Sequence, residues 1–379
     1  MGGLRRAQSG GKCFFFAGGG TGGHIYPAVA IAEKIIKTEP TAKIHFFISS
    51  RDIDTRVLKP TGFETTVLPA GPFSARPDKL IGFCRSFFAS FRTAGKIIAE
   101  AKNATVVGVG GFVAAPVCLA GRKLKVPVKL VNVDIVPGRA NKLTACFADE
   151  IFVQFEDTRQ YFAKAGAEVN VVGCPLRSGF ENPDPHKAIE QLGLDENKKT
   201  LLITGASSGS DNINRTVCCL LEKLSRFADS WQIVHLTGHS GFQMVKEQYT
   251  AAAIGHKVLS YCDDMPNLLA AADLVVGRSG AVSVAEYAAA AVPSICMPYP
   301  YHRDRHQYLN AGKLVEAGVG VIVDDVPNAA DRKQWLAEQL EALMKDDQRR
   351  KQMSQACSRI ANKDAASRIA EKLLEDKKT

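Results

Sequence analysis

A glycine-rich segment near the start of the chain ends in a histidine, and together these residues could bind an anion and accept a proton. The segment is Gly18-Gly-Gly-Thr-Gly-Gly-His24, which follows an apolar run and precedes an amphipathic pattern. Glycines let the backbone approach a bulky polar ligand, and a helix start offers unpaired N–H groups with positive dipole character. Imidazole titrates near neutral pH, so His24 suits a general base. The segment predicts a phosphate-binding turn beside a proton acceptor.

Three further loops place glycine directly after an apolar run. They are Val107-Gly-Val-Gly-Gly-Phe112, Thr204-Gly-Ala-Ser-Ser-Gly-Ser210 and Asp273-Leu-Val-Val-Gly-Arg-Ser-Gly280. One such turn is ordinary in α/β proteins, but four at matching places in two halves favour a large phosphate-bearing ligand. The spacing of Gly18, Gly20 and Gly23 also fits a dinucleotide-binding loop, with Asp52 as the acidic residue that follows. A dinucleotide fold is therefore an alternative.

Polar residues near these loops supply candidate ligand contacts. Glu286 lies one to two turns into the helix predicted after Gly280, where a carboxylate can accept both hydroxyls of a ribose. Ser207 can donate to phosphate oxygens, although serine in such turns also caps helices. Arg177 could reach a phosphate or hold two domains together. Gln307 offers both a donor and an acceptor to sugar hydroxyls.

Short apolar runs alternate with helical periodicity along the whole chain, which predicts parallel sheets covered by helices on both faces. The predicted strands are 12–17, 43–48, 64–68, 105–109, 127–133, 150–154, 200–204, 232–236, 257–260, 273–276, 294–297 and 320–323. The predicted helices are 26–38, 52–60, 80–101, 114–124, 139–147, 211–227, 241–252, 265–271, 281–291, 305–317, 331–345 and 348–361, with a charged last segment to about 375.

The alternation restarts after the polar, proline-marked stretch 181–185. We therefore predict an α/β protein with two doubly wound, Rossmann-like domains that face a cleft. The predicted domains are residues 1–178 and residues 179–379, the second of which includes the C-terminal helices. Ligands of such sheets bind beyond the carboxyl ends of the strands.

Composition narrows the function classes. The 379 residues carry a formal net charge of +9, which favours an anionic partner such as nucleic acid, acidic lipid or phosphorylated substrate, or else a scattered surface charge. The basic residues are dispersed and no recognition motif for nucleic acid is visible, so no nucleic-acid partner is predicted. The 10 cysteines lack ligand spacing and read as core residues in a reducing compartment. No apolar run is long enough to span a membrane.

One segment combines aromatic and basic residues. Between positions 72 and 92 five phenylalanines stand among four basic residues, and three of the phenylalanines recur every four residues. Such a pattern suits an interfacial helix on anionic lipid, although core packing of an ordinary amphipathic helix explains the phenylalanines equally well. The predicted membrane contacts are Phe73, Phe83, Arg85, Phe87, Phe88 and Phe91.

The four loops, taken with their neighbours, resemble the MurG family of inverting GT-B glycosyltransferases over nearly the whole chain. The segments that carry the resemblance are Gly18–His24 with Pro27, Gly108-Val-Gly-Gly-Phe-Val-Ala-Ala-Pro116, Asp273–Glu286 and His306-Gln-Tyr-Leu-Asn-Ala311. The resemblance implies transfer of N-acetylglucosamine from UDP-N-acetylglucosamine to an undecaprenyl-diphosphate-linked sugar acceptor, lipid I to lipid II of peptidoglycan synthesis. It also implies inversion, no metal ion or other cofactor, and a peripheral position on the cytoplasmic face of the cell membrane. It further implies that the domain of residues 1–178 lies on the acceptor and membrane side and that the domain of residues 179–379 binds the UDP-sugar.

Site residues carried over from the family are implied position by position. His24 would lie near the reacting centre as the first candidate base, with Asp134 as the second. The implied contacts to UDP-N-acetylglucosamine are Thr21, Gly22, Gly23, Arg177, Ser207, Cys262 (by its backbone, beside the uracil), Ala281, Val282, Ser283, Val284, Ala285, Glu286 (on the ribose) and Gln307 (on the sugar hydroxyls).

The chain departs from the family's pattern at three places. Val131-Asn-Val-Asp134 replaces a His-Glu-Gln-Asn segment, Phe112 replaces a tyrosine, and Gly205-Ala-Ser-Ser-Gly-Ser210 replaces Gly-Gly-Ser-Gln-Gly-Ala. The predicted nucleotide-binding helix matches the family's pattern more closely than the first domain does. The departures therefore concern the identity of the acceptor more than the binding of the UDP-sugar. Two alternatives stay open: a UDP-N-acetylglucosamine 2-epimerase on the same two-domain plan, and a catalytically silent sugar-nucleotide or membrane-binding scaffold.

Overall fold

The apolar runs of the first half form the strands of one parallel sheet. The structure, a computed structural model, describes residues 11–71 and 76–375. The elements of this half are β1 (Cys13–Gly18), α1 (Gly22–Thr38), β2 (Lys43–Ile48), α2 (Asp52–Leu58), β3 (Glu64–Val67), α3 (Pro77–Ala99), β4 (Ala104–Gly110), α4 (Ala114–Lys123), β5 (Val128–Asn132), α5 (Arg139–Ala145), β6 (Glu150–Val153) and β7 (Glu168–Val171). The strand order is β3-β2-β1-β4-β5-β6-β7, so the winding direction reverses between β1 and β4.

The second half repeats this plan. Its elements are α6 (Pro185–Leu192), β8 (Lys199–Thr204), α7 (Asp211–Cys218), α8 (Leu221–Leu224), β9 (Trp231–Leu236), α9 (Phe242–Tyr249), β10 (Gly255–Leu259), α10 (Met265–Ala270), β11 (Leu274–Gly277), α11 (Ala281–Ala289), β12 (Ser294–Cys296), α12 (His306–Glu316), β13 (Gly320–Ile322), α13 (Ala329–Lys345) and α14 (Asp347–Ala356), followed by α15 (Ala365–Leu374). The strand order β10-β9-β8-β11-β12-β13 reverses between β8 and β11.

All strand pairs of both sheets are parallel, which confirms the prediction of two doubly wound, Rossmann-like domains. Each sheet buries apolar side chains against helices. Phe15, Phe47 and Val106 of the first sheet pack with residues of α3 and α4. Leu201 and Ile233 of the second sheet pack with residues of α7, α9 and α13. The four glycine-rich loops therefore follow β1, β4, β8 and β11, the strands that flank the two reversals, where ligands of such sheets bind.

Three elements differ from the sequence prediction. β7 was not predicted, because its residues are exposed or only half-buried and form no apolar run. The predicted helix 211–227 ends at Cys218, resumes at Leu221–Leu224 and finishes as a 3-10 turn, Ser225–Phe227. α6 begins inside the stretch expected to be a linker, where Asp184 accepts a hydrogen bond from the His186 N–H and Pro185 fits the first helical position.

The chain passes between two compact units more than once. The first unit comprises residues up to Val133, Pro137–Pro175 and the chain from Asp364 onwards, whereas the second comprises Asp134–Val136 and Leu176–Lys363. The final helix, which the sequence analysis assigned to residues 179–379, thus groups with the first unit. α15 packs on α1, its residues Ile369 and Leu373 are buried, and Lys12 Nζ donates to the Leu374 carbonyl.

A buried histidine of the second unit couples stability to pH. His235 lies fully inside the protein, with Nδ1 3.1 Å from Tyr249 Oη and Nε2 3.1 Å from Asn214 Oδ1. Burial lowers the pKa of His235 from 6.5 to about 3. Below pH 6.5 the unfolded chain therefore binds a proton that the native state does not. The free energy of unfolding consequently decreases as the pH is lowered. We expect this histidine to cost about 2 kcal/mol of unfolding free energy between pH 7 and pH 5.

The measurement is urea denaturation at several pH values, followed by tryptophan fluorescence. Trp231 and Trp335 both belong to the second unit, so the signal reports on that unit. His235→Gln should lose this share of the pH dependence, while His186→Gln, a change at an exposed histidine, should keep it. An unchanged pH slope in His235→Gln would contradict the assignment.

Candidate active site

The loop after β1 is held in shape by a buried carboxylate. Gly19 and Gly20 have φ values of 139° and 87°, which favour glycine. Asp54 accepts a hydrogen bond from the Gly20 N–H at 2.7 Å and another from the Ser49 hydroxyl at 2.5 Å. A Cβ atom on Gly19 would lie only 2.2 Å from Asp54 Oδ2. The loop therefore needs both glycines and the aspartate, which is fully buried.

The first turn of α1 exposes backbone donors. Thr21 precedes the helix in an extended conformation, and its side chain makes no capping hydrogen bond. Gly22 and Gly23 form the first turn, in which backbone N–H groups have no partner within the helix. These are the three positions predicted to lie at the donor diphosphate. A helix of 17 residues with such a start attracts an anion.

His24 lies in the same turn, where the sequence analysis placed it. Its Nδ1 atom is 3.2 Å from the Gly19 carbonyl oxygen and 3.2 Å from Thr21 Oγ1. A carbonyl can only accept, so the contact with Gly19 favours the tautomer with hydrogen on Nδ1. In that tautomer Nε2 carries the lone pair that can accept a proton. The glycine loop therefore orients the ring of the residue that was predicted to be a general base.

The loop after β4 packs directly on the loop after β1. Gly110 and Gly111 have φ values of 108° and 79°. A Cβ atom on Gly111 would lie 2.4 Å from the Gly19 carbonyl oxygen, and one on Gly110 would lie 2.7 Å from His24 Cδ2. No side chain fits at either position, so the two glycines let the histidine ring lie against the backbone. Phe112, where the family has tyrosine, follows them with a partly exposed ring.

Asp134, the second candidate base, belongs to the second unit, whereas His24 belongs to the first. Its Oδ1 atom accepts a hydrogen bond from Asn310 Nδ2 at 3.1 Å. Asn310 is fully buried, also donates to the Ser279 carbonyl at 3.2 Å, and accepts from the Ile135 N–H at 3.1 Å. Asn310 therefore ties the short segment 134–136 to the start of α11 and fixes the Asp134 carboxylate.

Three predicted donor contacts of the second unit lie together. Arg177 Nη2 is 3.1 Å from Glu286 Oε1, and Nη1 donates to the Asp263 carbonyl at 3.0 Å. Burial raises the pKa of the Glu286 carboxyl, and the charge and hydrogen bond of Arg177 oppose that rise. Burial likewise raises the pKa of the Cys262 thiol, which also feels the charge of Arg177. The arginine therefore supports a buried carboxylate beside the Cys262 backbone.

The start of α11, which was predicted to bind the nucleotide, has no side-chain cap. Gly280 precedes the helix in an extended conformation with no side-chain cap, which leaves the backbone donors of the first turn without helical partners. Of the predicted segment Ala281–Glu286, Ser283 and Ala285 are half-buried and the other four residues are buried. The Ser283 hydroxyl hydrogen-bonds Tyr287, whose own hydroxyl donates to the Arg278 carbonyl at 3.0 Å.

The loop after β8 contains Ser207, and neighbouring residues hold its backbone in position. Ala206 has a φ of 61°, a left-handed conformation that costs a non-glycine residue about 1–2 kcal/mol, and it stands where the resembling family has glycine. A Cβ atom on Gly209 would lie 2.3 Å from the Thr237 carbonyl oxygen. Ser210 accepts from Arg278 Nη2 at 2.7 Å and caps α7. Ser207 is half-buried at the turn of this loop.

Arg278 belongs to a buried charge network that links three loops. Its Nη2 atom lies 2.8 Å from Asp325 Oδ2, and Arg332 Nη1 lies 3.4 Å from Asp325 Oδ1. Asn212, in the first turn of α7, donates to Asp325 Oδ1 at 2.8 Å. All three charged side chains are at least nine-tenths buried. The network fixes the loops after β8, β11 and β13 relative to one another.

Gln307, predicted to contact the sugar, lies in the first turn of α12. Its Oε1 atom accepts a hydrogen bond from the Tyr299 N–H at 2.9 Å. The amide therefore has a fixed orientation at the end of the loop that follows β12. Arg305, just before the helix, has a φ of 50° and stacks its guanidinium 4.2 Å from the Tyr308 ring centroid.

α3 presents its predicted membrane residues on different sides. Phe91 packs against the core of the first unit, and Phe83 and Phe87 are half-buried with ring centroids 5.9 Å apart. Phe88, in contrast, is 62% exposed, and Arg85 is exposed on the same face. Phe73 lies outside the described residues. The exposed surface of α3, defined here as its apolar-basic face, consists of Leu80, Ile81, Cys84, Arg85, Phe88, Ala89 and Arg92.

Within residues 11–71 and 76–375, no helix has the length and apolar character needed to cross a bilayer. Over the same part of the chain, no cluster of three or more histidine, cysteine, aspartate or glutamate side chains is arranged to hold a metal ion.

Three residues that position the site were not predicted from the sequence, because they lie outside the glycine-rich loops. They are Asp54, Asn310 and Asp325. Asp54 stands two residues after Asp52, which was considered as a ribose ligand but is exposed at the start of α2. Asn310 and Asp325 act across more than 40 residues, on Asp134 and Arg278. The Asn310 signal lay inside the family-like segment His306–Ala311; no local pattern pointed to Asp54 or Asp325.

The sequence models of glycosyltransferase family 28 match both halves, the N-terminal domain over residues 14–153 and the C-terminal domain over residues 200–370. A relative from Leifsonia xyli, named UDP-N-acetylglucosamine--N-acetylmuramyl-(pentapeptide) pyrophosphoryl-undecaprenol N-acetylglucosamine transferase, is 33% identical over 361 residues, 94% of this chain and 96% of the relative. The chain belongs to this transferase family. The family resemblance predicted from the segments at residues 18–27, 108–116, 273–286 and 306–311 is thereby confirmed.

Other members of the transferase family are similarly related. The transferase of the same name from Paenarthrobacter aurescens is 34% identical and covers 95% of each chain. The crystal structure of MurG from Acinetobacter baumannii superposes with a TM-score of 0.72 at 22% identity, over 96% of this chain and 99% of that one.

A UDP-GlcNAc 2-epimerase from Neisseria meningitidis, solved with UDP-GlcNAc, superposes with a TM-score of 0.69 over 96% of this chain and 100% of that one. Its sequence is only 14% identical, so the similarity shows a shared fold alone.

Proposed function

We propose that this glycosyltransferase moves N-acetylglucosamine from UDP-N-acetylglucosamine to an undecaprenyl-diphosphate-linked acceptor, with inversion at the anomeric carbon. This is the reaction for which its relatives are named, and it converts lipid I to lipid II in peptidoglycan synthesis. One observation carries the proposal for this chain: Arg177 holds the buried Glu286 carboxylate at 3.1 Å, one turn beyond the uncapped start of α11. That arrangement suits a ribose next to a diphosphate.

The proposed donor site combines backbone N–H groups at helix starts with polar side chains. Backbone donors of the α1 and α11 starts bind the diphosphate, Glu286 accepts the ribose hydroxyls, and the Cys262 backbone lies beside the uracil. The complete proposed set is Thr21, Gly22, Gly23, Arg177, Ser207, Cys262, Ala281, Val282, Ser283, Val284, Ala285, Glu286 and Gln307. Negative charge grows on the leaving diphosphate, and helix starts and loop N–H groups stabilise that charge without having to reorganise.

The proposed chemistry is a single displacement. The acceptor hydroxyl oxygen bonds to the anomeric carbon as the bond to the UDP oxygen breaks, and the hydroxyl proton passes to His24 Nε2. His24 is favoured over Asp134 because the contact of its Nδ1 atom with the Gly19 carbonyl favours the tautomer with hydrogen on Nδ1, in which Nε2 is the basic atom of the ring. The Asp134 Oδ1 atom, in contrast, already accepts a hydrogen bond from Asn310.

The test is an assay of the purified full chain with radiolabelled UDP-N-acetylglucosamine, with and without undecaprenyl-diphosphate-linked N-acetylmuramyl-pentapeptide in detergent. We expect labelled lipid and released UDP only when the acceptor is present. A 2-epimer of the donor, formed without any acceptor, would instead identify an epimerase. Binding of UDP with no turnover under either condition would identify a silent scaffold.

Replacing the buried ribose ligand should weaken nucleotide binding. We expect Glu286→Gln to raise the Kd for UDP by about 10- to 100-fold, because a neutral amide accepts weaker hydrogen bonds and leaves Arg177 without its counter-charge. Titration calorimetry with UDP measures the change. Glu316→Gln, at an exposed glutamate paired with Lys313, is the matched control and should bind UDP as the wild type does. Equal affinities for all three proteins would remove Glu286 from the site.

Membrane association is the second part of the proposal. We infer that the enzyme binds the cytoplasmic face of the membrane peripherally through the apolar-basic face of α3. Ile81 and Phe88 are 66% and 62% exposed, and Arg85 and Arg92 lie beside them on this face. Exposed apolar groups flanked by cations suit insertion at an anionic lipid surface. Phe83 and Phe87 are half-buried and Phe91 packs inward, so their contribution to lipid contact would be smaller.

The membrane-binding surface can be tested with vesicles of phosphatidylglycerol and phosphatidylcholine. We expect Ile81→Asp/Phe88→Asp to lower co-sedimentation by about tenfold or more, because two exposed apolar side chains no longer enter the interface. The affinity for UDP should not change. Ile360→Asp, at a partly exposed isoleucine of the second unit, is the control. Unchanged vesicle binding by the double variant would contradict the assignment of this face.

A further inference from the structure

The last strand of the second sheet has an unpaired outer edge. β13 pairs with β12 on one side, where the Val323 N–H donates to the Cys296 carbonyl at 2.9 Å. Backbone groups of successive strand residues point in alternate directions, so those of Gly320 and Ile322 point away from β12. Within the residues that the structure describes, these outward N–H and C=O groups make no hydrogen bond. β13 therefore has the donors and acceptors to pair with a further strand.

A groove lies between this edge and α14. Its volume is about 680 Å³, which is within the range of roughly 300–1,000 Å³ found for ligand-binding pockets. One wall is formed by β13 and the end of α12, and the other by α14 and the 3-10 turn Cys357–Arg359. Val321 and Met353 line the groove and also pack in the apolar core of the second unit, so its floor is partly apolar. A groove between an edge strand and a helix suits an extended peptide.

The helical wall of the groove is basic. Arg349 and Arg359 line it with exposed side chains, and neither guanidinium makes a hydrogen bond or ion pair within residues 11–71 and 76–375. No aspartate or glutamate of that part of the chain lines the groove. Arg350, in contrast, is buried and pairs with Asp347. Two cations without a carboxylate partner beside an unpaired strand edge favour a ligand that carries carboxylates.

We propose that this groove binds an extended, acidic peptide segment of a partner protein, which adds to β13 as a further strand. The main chain of the segment exchanges hydrogen bonds with Gly320 and Ile322, and its carboxylates pair with Arg349 and Arg359. None of the residues that line the groove belongs to the proposed donor site. The inference therefore concerns a partner of the enzyme and does not depend on the proposed transfer reaction.

The test is fluorescence anisotropy of the full chain with a fluorescein-labelled peptide of four Val-Glu repeats. We expect this peptide to bind at least about tenfold more tightly than a peptide of four Val-Lys repeats, and its affinity to fall as salt is added. Methylation of alternate backbone nitrogens in the Val-Glu peptide removes the donors that pair with β13, and should lower the affinity about tenfold or more. Amide hydrogen exchange of Gly320 and Ile322 should slow when the unmethylated peptide binds.

Charge reversal in the groove tests which residues select the peptide. We expect Arg349→Glu/Arg359→Glu to lower the affinity for the Val-Glu peptide about 10- to 100-fold and to favour the Val-Lys peptide instead. Lys333→Glu/Lys351→Glu is the matched control, because it changes the net charge equally at two exposed lysines outside the groove. The control should bind the Val-Glu peptide as the wild type does. Thermal denaturation of both double variants checks folding.

Several results would overturn the inference. They are no binding of the Val-Glu peptide at concentrations up to about 1 mM, equal affinity for the two peptides, no effect of backbone methylation, or equal losses in the two double variants. A wild-type dimer in sedimentation that Arg349→Glu/Arg359→Glu converts to a monomer would assign the groove to a second copy of the chain instead. None of these results bears on sugar transfer, which is measured separately with the lipid-linked acceptor.

Discussion

His24→Ala should lower kcat for sugar transfer by about 10²–10⁴-fold, which is the usual contribution of a positioned general base. The reason is geometric: Nδ1 is held 3.2 Å from the Gly19 carbonyl, so Nε2 is the atom that can take the proton of the acceptor hydroxyl. The alanine side chain provides no proton acceptor. Since the glycine loop and Asp54 hold the backbone independently of the ring, the affinity for UDP should remain largely unchanged.

Initial-rate kinetics with saturating acceptor, together with calorimetry for UDP, measure the two effects of His24→Ala. His186→Ala, at an exposed histidine on α6, is the control and should leave both unchanged. Turnover of His24→Ala at the wild-type level would exclude His24 as the base and make Asp134 the next residue to replace. A loss of UDP binding as large as the loss of turnover would place His24 in donor binding.

Asp325→Ala should destabilise the second unit by about 3–5 kcal/mol, because it leaves two buried guanidinium groups without a counter-charge. Arg278 and Arg332 both pair with this carboxylate, and no exposed surface pair carries a comparable cost. Arg278 also holds Ser210 at 2.7 Å, so the loop that contains Ser207 should lose its support. We therefore expect weaker UDP binding as well as lower stability.

Urea denaturation followed by tryptophan fluorescence reports the stability of the second unit in Asp325→Ala. Glu341→Ala, which removes an exposed pair with Lys345, is the matched control and should leave the free energy of unfolding close to that of the wild type. An equally small effect of Asp325→Ala would show that water or side-chain movement compensates for the lost carboxylate. The network would then not be what holds the three loops.

The glycine-rich loops and the sheets were predictable because their signals are local. An apolar run, a glycine turn and an amphipathic helix follow one another within about 30 residues, and this order repeats after β1, β4, β8 and β11. His24 and Glu286 stood out because of their positions in that order. The strand order was not predicted, because right-handed crossover connections fix the hand of each connection but not which strands lie next to each other.

The remaining features depend on contacts that no local pattern records. Periodicity in α3 found an aromatic stripe but not which side meets the core; Phe91 packs inward, whereas Phe88 and Ile81 are exposed. Asn310 donates a hydrogen bond to Asp134 across 176 residues of sequence, and no local pattern at either position predicts this contact.

The return of α15 to the first unit bears on how such enzymes can be recombined. A gene fragment that ends at residue 175 encodes the first sheet without the helix that packs on α1. A chimera that takes its sugar-nucleotide half from another transferase therefore needs two junctions, near residues 176 and 363, and a partner for the short segment 134–136. In a hybrid joined at a single point, the C-terminal helix of the other transferase would take the place of α15 on α1. That helix did not evolve together with this α1.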